Sequence, residues 1–129
     1  MKLLLLCFLF IAVHGKKLPP EITNAWMRIV TPIYDDCVKI TNVLPEIPKT
    51  MFEQDELPKD KSFACYMKCV YEKLSFLKSN NEFDKEEMVK EIYMLTPAMA
   101  QLCVDESAME PDMCKKINII VGCIVREVV

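Results

Sequence analysis

Cysteine carries most of the chemistry in this chain. The 129 residues include seven cysteines, at positions 7, 37, 65, 69, 103, 114 and 123, and a single histidine, His14. A secreted phospholipase would need a histidine base and a glycine-rich calcium loop, and neither is present. Only Gly15 and Gly122 are glycine, so there is no phosphate-cradling loop and no dinucleotide fingerprint. The acidic clusters Asp35-Asp36, Glu53 to Glu56 and Glu86-Glu87 lack the spacing and glycine turn of a calcium loop. They read as solvated helix ends. A cysteine nucleophile would need a free thiol, which the cysteine count argues against. The expectation is a protein that is not an enzyme and that uses no metal and no cofactor.

The N-terminus accounts for the odd cysteine. Lys2 is followed by an unbroken apolar run of eleven residues, Leu3 to Val13. As helix that run reaches roughly 16 Å, about half a bilayer's hydrocarbon core, so it does not span a membrane. A basic residue, a short apolar stretch and small residues at Val13 and Gly15 form the pattern of a secretory signal peptide. Residues 1–15 are expected to be removed, and 16–129 to form one mature domain. Taking 15 residues from 129 leaves 114, with six cysteines and no histidine. An even count in a secreted chain reads as three disulfides. The charge, 16 basic against 19 acidic residues, offers no basic patch for nucleic acid or an anionic membrane. No other segment is apolar over a length that would insert stably in a membrane.

These cysteines must be positioned by helices. Ile22, Trp26, Ile29, Ile33 and Cys37 recur at helical steps, interrupted by Pro32, which predicts a kinked helix or two short ones. Pro45, Pro48 and Pro58 punctuate the next stretch, with room for a short helix near Thr50 to Gln54. The strongest helix is expected over Asp60 to Leu77. Phe63, Met67, Val70, Leu74 and Leu77 form one stripe there, and Cys65, Cys69 and Phe76 lie opposite. Two apolar sides predict a central helix. Asn80 and Asn81 end it. Asp84 then caps one helix, Thr96-Pro97 starts another, and Pro111 opens the last, which runs to the C-terminus.

Cys65 and Cys69 share one helix face about 5–6 Å apart, wider than the ~3.8 Å between Cβ atoms of a disulfide. Cys114 and Cys123 are separated by about 13.5 Å of helical rise. Neither pair can bond. Six cysteines allow fifteen connectivities, and these exclusions leave ten open.

The order of cysteines is Cys37, 27 residues, Cys65, three residues, Cys69, 33 residues, Cys103, ten residues, Cys114, eight residues, Cys123. This pattern resembles the six-cysteine signature of insect odorant-binding proteins, the pheromone-binding and general odorant-binding family. The resemblance covers nearly all of the mature chain. It implies an all-α fold of about six helices around an apolar cavity, stapled by Cys37–Cys69, Cys65–Cys114 and Cys103–Cys123. It implies a secreted carrier that solubilises small hydrophobic ligands such as odorants or pheromones and delivers them to receptors. The expected partners are that ligand and an odorant receptor, and the chain is expected as a monomer or weak homodimer.

On that reading the candidate ligand contacts are Trp26, Met51, Phe52, Phe63, Tyr66, Met67, Val70, Met88, Ile92, Met99, Ile120 and Ile124. The methionines suit a pocket that accepts varied shapes. Tyr34, Tyr66, Tyr71 and Tyr93 offer hydroxyls that could orient a polar ligand head. Two features depart from moth pheromone-binding members. Only six residues follow Cys123, too few for a helix inserted into the pocket, and the mature chain has no histidine for pH gating. Two other readings stand beside this one: the same carrier used outside olfaction, and a secreted helical signalling protein.

Overall fold

Proline and left-handed residues set the helix boundaries. The computed structural model describes residues 18–129, and the expected signal segment lies outside them. Helix α1 spans Pro20–Val30, with Pro20 at its first position, where no intrahelical N–H bond is lost. Pro32 tightens the chain into a 3-10 turn, Thr31–Ile33, from which α2, Tyr34–Thr41, continues. The three pieces form one bent helix, the kink expected at Pro32. Asn42 ends it in a left-handed conformation, φ 56°, which asparagine tolerates better than most residues.

Helix α3 is a single turn, Glu46–Lys49, and not the Thr50 to Gln54 helix expected from the sequence. It runs over Pro48. In one turn the first N–H groups have no helical partner, so a proline there removes nothing. From Met51 to Asp60 the chain has no regular helix or strand.

Helix α4, Lys61–Lys73, stops four residues short of the expected Leu77 because Ser75 takes φ 64°. The Phe76 N–H then reaches the Tyr71 carbonyl at 2.9 Å and the Ser75 N–H reaches Glu72 at 3.1 Å. That is a Schellman-type stop built on serine. It turns Phe76 back into the core. A lone bridge between Leu77 and Phe83 follows, with Asn81 at φ 67° between them.

Helix α5, Lys85–Glu91, is capped by the Asp84 carboxylate, which accepts from the Glu87 N–H at 3.0 Å. Helix α6, Pro97–Glu106, is capped by the Thr96 hydroxyl, which accepts from Met99 at 3.2 Å. The last helix, α7, is Met113–Val128. Its cap is Asp112, one residue beyond the expected Pro111. The Asp112 carboxylate accepts the Lys115 N–H at 3.2 Å and pairs with Lys61 of α4. The Lys61 hydrogen bond holds the Asp112 carboxyl below the usual carboxylate range.

Helix α4 is central, packing on α7 and on α2, while α7 also packs on α6. Three disulfides tie the same contacts: Cys37–Cys69 joins α2 to α4, Cys65–Cys114 joins α4 to α7, and Cys103–Cys123 joins α6 to α7. Their Cα separations are 5.6, 4.6 and 5.4 Å. These are the pairs that the resemblance implied. Counting the bent helix once, the described residues form six helical units and no strand, an all-α fold. No helix among them is long and apolar enough to cross a membrane.

Candidate functional site

The C-terminal halves of α4 and α7 leave a gap between them. Met67, Val70, Tyr71 and Leu74 recur at steps of three, one and three on α4, so they share one face. On α7 Val121, Ile124 and Val125 do the same. Between these faces lies an apolar cavity of about 50 Å³. Trp26, Ile29 and Val30 of α1 close one side, and Ile92 at the end of α5 closes another. Met51 and Phe52, in the irregular segment after α3, and Phe76, folded back by Ser75, complete the wall.

Local contacts fix these side chains. The Trp26 indole N–H donates to the Tyr93 main-chain carbonyl at 2.8 Å. Its ring meets Phe52 edge-on, with centroids 5.4 Å apart, and Tyr71 meets Phe76 edge-on at 5.3 Å. Such edge-to-face pairs are favoured by the aromatic quadrupole. Cys69 precedes Val70 and Cys123 precedes Ile124, so two disulfides anchor wall residues directly to neighbouring helices. Phe52, Met51 and Val125 also face a second recess on the outer side, with Leu18, Gln54, Asp55 and Leu57. Phe52 and its neighbours therefore form the partition between the cavity and the surface.

Seven of the expected ligand contacts meet at this cavity: Trp26, Met51, Phe52, Met67, Val70, Ile92 and Ile124. The other five lie off its wall. Phe63 and Tyr66 sit one turn before Met67 and Val70, past the cavity's end, where they stack on each other at 6.2 Å and Tyr66 faces Tyr34. Ile120 lies one turn before Ile124 and is fully buried off the wall, as is Met88. Met99 packs against the core from α6, outside the wall. The wall residues beyond the expected set are Ile29, Val30, Tyr71, Leu74, Phe76, Val121 and Val125. Ile29 and Leu74 belonged to legible apolar stripes. Phe76 did not, because its position depends on the turn at Ser75.

No charged side chain lines the cavity. Burial pushes the Tyr66 and Tyr71 phenols well above the usual tyrosine range. The Tyr93 phenol is pushed up mainly by donating to Glu21 at 2.7 Å. Among the described residues, no group of three or more His, Cys, Asp or Glu side chains is placed to hold a metal ion.

A helical bundle stapled around an uncharged apolar cavity is the architecture of a small-molecule binding protein. The model of the PBP/GOBP family matches residues 21–127. The chain therefore belongs to that family, the pheromone-binding and general odorant-binding proteins of insects, which bind small hydrophobic ligands and are not enzymes. No curated protein and no solved structure matches the chain.

Proposed function

We propose that this chain is secreted after loss of residues 1–15 and that residues 16–129 carry a small hydrophobic molecule, such as an odorant or pheromone, to a receptor. The observation behind this reading is the cavity itself, whose wall comes from three helices and the segments that follow α3, α4 and α5, and carries no charge. Affinity would come from burial. A ligand that buries about 200 Å² of apolar surface gains roughly 5 kcal/mol before ordering costs, and the disulfide-held walls keep those costs low.

The cavity is far smaller than the roughly 300 Å³ at the lower end of small-molecule pockets. Binding must therefore dilate it. Met51, Met67 and Phe52 are the side chains suited to yield: methionine has flexible torsions, and Met51 and Phe52 lie outside any helix. The test is displacement of a bound apolar fluorescent probe by small volatile compounds. A bundle that signals through its outer surface would bind no probe, and that result would end the carrier reading.

A further inference from the structure

Gly122 is the one glycine among the described residues, and it stands in the interior of α7. Glycine weakens a helix interior relative to alanine. Nothing else in the chain requires it there: a Cβ at Gly122 would meet only Leu57 Cδ1, at 3.9 Å. The space above it belongs to a groove of about 730 Å³ on the outer side of α7, under segment 55–59. That volume lies within the range of small-molecule sites, which the internal cavity does not reach. Val125 is the one residue that lines both.

Asn118 lies one turn before Gly122 and lines the same groove. Its amide nitrogen donates to the Pro58 carbonyl at 3.3 Å, while its oxygen, Oδ1, is buried and has no hydrogen-bond partner. A buried acceptor left unpaired is costly, and a donor brought beside it relieves that cost. The Pro58 bond is long for an N–H···O contact, so segment 55–59 can yield where the donor must enter. Leu57, Ile119 and Val125 supply hydrocarbon surface. The rim carries three carboxylates, Asp55, Glu56 and Glu106, against Lys59 and Arg126. Arg126 is committed to Glu106 at 2.8 and 3.0 Å, and Lys59 faces Glu56 at 3.3 Å. Asp55 is left without an ion-pair partner among the described residues.

We propose that this groove is a second ligand site, selective for small ammonium compounds with an apolar body, such as arylalkylamines. The ring lies over Gly122, the ammonium group donates to Asn118 Oδ1, and Asp55 supplies the counter-charge. The internal cavity cannot take such an ion, because no charged group lines it.

Titration of the nitrogen-15-labelled protein at pH 7.4 tests this with phenethylamine, phenethyl alcohol and phenylacetate. The Gly122 amide and the Asn118 side-chain amide report on the groove, and the Trp26 indole reports on the cavity. Phenethylamine is expected to shift the two groove signals and leave Trp26 in place. It should bind at least about fivefold more tightly than phenylacetate, an advantage that salt reduces. Gly122→Leu fills the groove floor and should weaken the amine by about tenfold without lowering Tm. Asn118→Ala should weaken the amine and the alcohol alike, since both donate to Oδ1. Asp55→Asn should weaken the amine alone, by about threefold. An amine that moves Trp26 and not Gly122, a phenylacetate that binds the groove as well as the amine, or an affinity unchanged by Gly122→Leu overturns the proposal. Should Gly122→Leu fail to fold by circular dichroism, Asp55→Asn decides: an unaltered amine-to-alcohol ratio overturns it. None of these outcomes depends on whether the cavity binds an apolar probe, so the carrier reading stands or falls separately.

Discussion

The indole of Trp26 donates to the main-chain carbonyl of Tyr93, 67 residues away, at 2.8 Å. The bond fastens a wall of the cavity to the turn between α5 and α6. The Tyr93 hydroxyl fastens the same turn a second time, through Glu21 on α1. Met94, next in the chain, is held at φ 71°, a conformation that costs a non-glycine residue energy. The two hydrogen bonds to α1 thus hold a strained turn beside the cavity.

Trp26 is the chain's only tryptophan, so its emission reports on the cavity alone. An apolar ligand should change that emission with the same dissociation constant as probe displacement gives. Trp26→Phe should lower stability by about 2–3 kcal/mol, through lost volume and an orphaned Tyr93 carbonyl. Urea unfolding measures it. An unchanged midpoint would show that the indole supports neither wall nor turn.

A second prediction concerns a hydroxyl that the fold does not use. Tyr66 is fully buried, and its phenol oxygen has no hydrogen-bond partner. Leaving a buried donor unpaired costs about 1–3 kcal/mol. Tyr66→Phe keeps the stacking on Phe63 and removes that cost. The expected gain is about 1 kcal/mol, or about 4 °C in Tm for a domain of this size. A fall in Tm would mean that a bound water satisfies the phenol.

The sequence exposed what depends on local chemistry. Asp84 and Thr96 cap helices because their side-chain oxygens meet free N–H groups three residues on, a rule with a fixed spacing. The stripe from Ile22 to Cys37 was readable for the same reason, and so was its kink at Pro32. The cavity was less legible. Phe63, Tyr66, Met67 and Val70 all lie on buried faces of α4, and nothing in their spacing says which turn meets filled core and which meets a gap. That depends on where α7 lies, and so on the disulfide Cys65–Cys114. Phe76 was misplaced because Ser75 adopts a left-handed conformation in place of the usual glycine. The short helix over Pro48 was missed because proline was read as a breaker, which it is only where an N–H bond is there to lose.

The Cys65–Cys114 bridge joins the filled halves of α4 and α7 and so sets the gap between their other halves. Replacing both cysteines with serine should cost about 2–5 kcal/mol and reduce the yield of folded, exported protein. Unfolding and probe titration of the double variant check this. Unchanged stability together with unchanged probe binding would refute a structural role for the bridge.

The last prediction concerns pH. Binding should change less than about fivefold between pH 7.4 and pH 5.5, or about 1 kcal/mol. The described residues contain no histidine, and no carboxylate lines the cavity. Asp35 and Asp36 are exposed on α2, and Glu127 lies on α7 outside the wall. The side chains that do titrate differently on folding act outside this window. Tyr66 and Tyr71 are raised by burial, so their neutral forms favour the fold. That contribution is complete below the unfolded value of about 10 and is lost as pH rises above it. Asp112 is lowered by Lys61, so its contribution is present above the ordinary carboxylate value and fades as pH falls through the depressed one. Stability should therefore be flat from about pH 5.5 to 9 and should fall on the alkaline side. There, absorbance at 295 nm should show Tyr66 and Tyr71 ionising only as the bundle unfolds. Probe titrations at pH 7.4 and 5.5 test the binding half of the argument. A loss of affinity beyond tenfold would place a titrating group at the cavity, and Asp35→Asn, Asp36→Asn and Glu127→Gln would identify it.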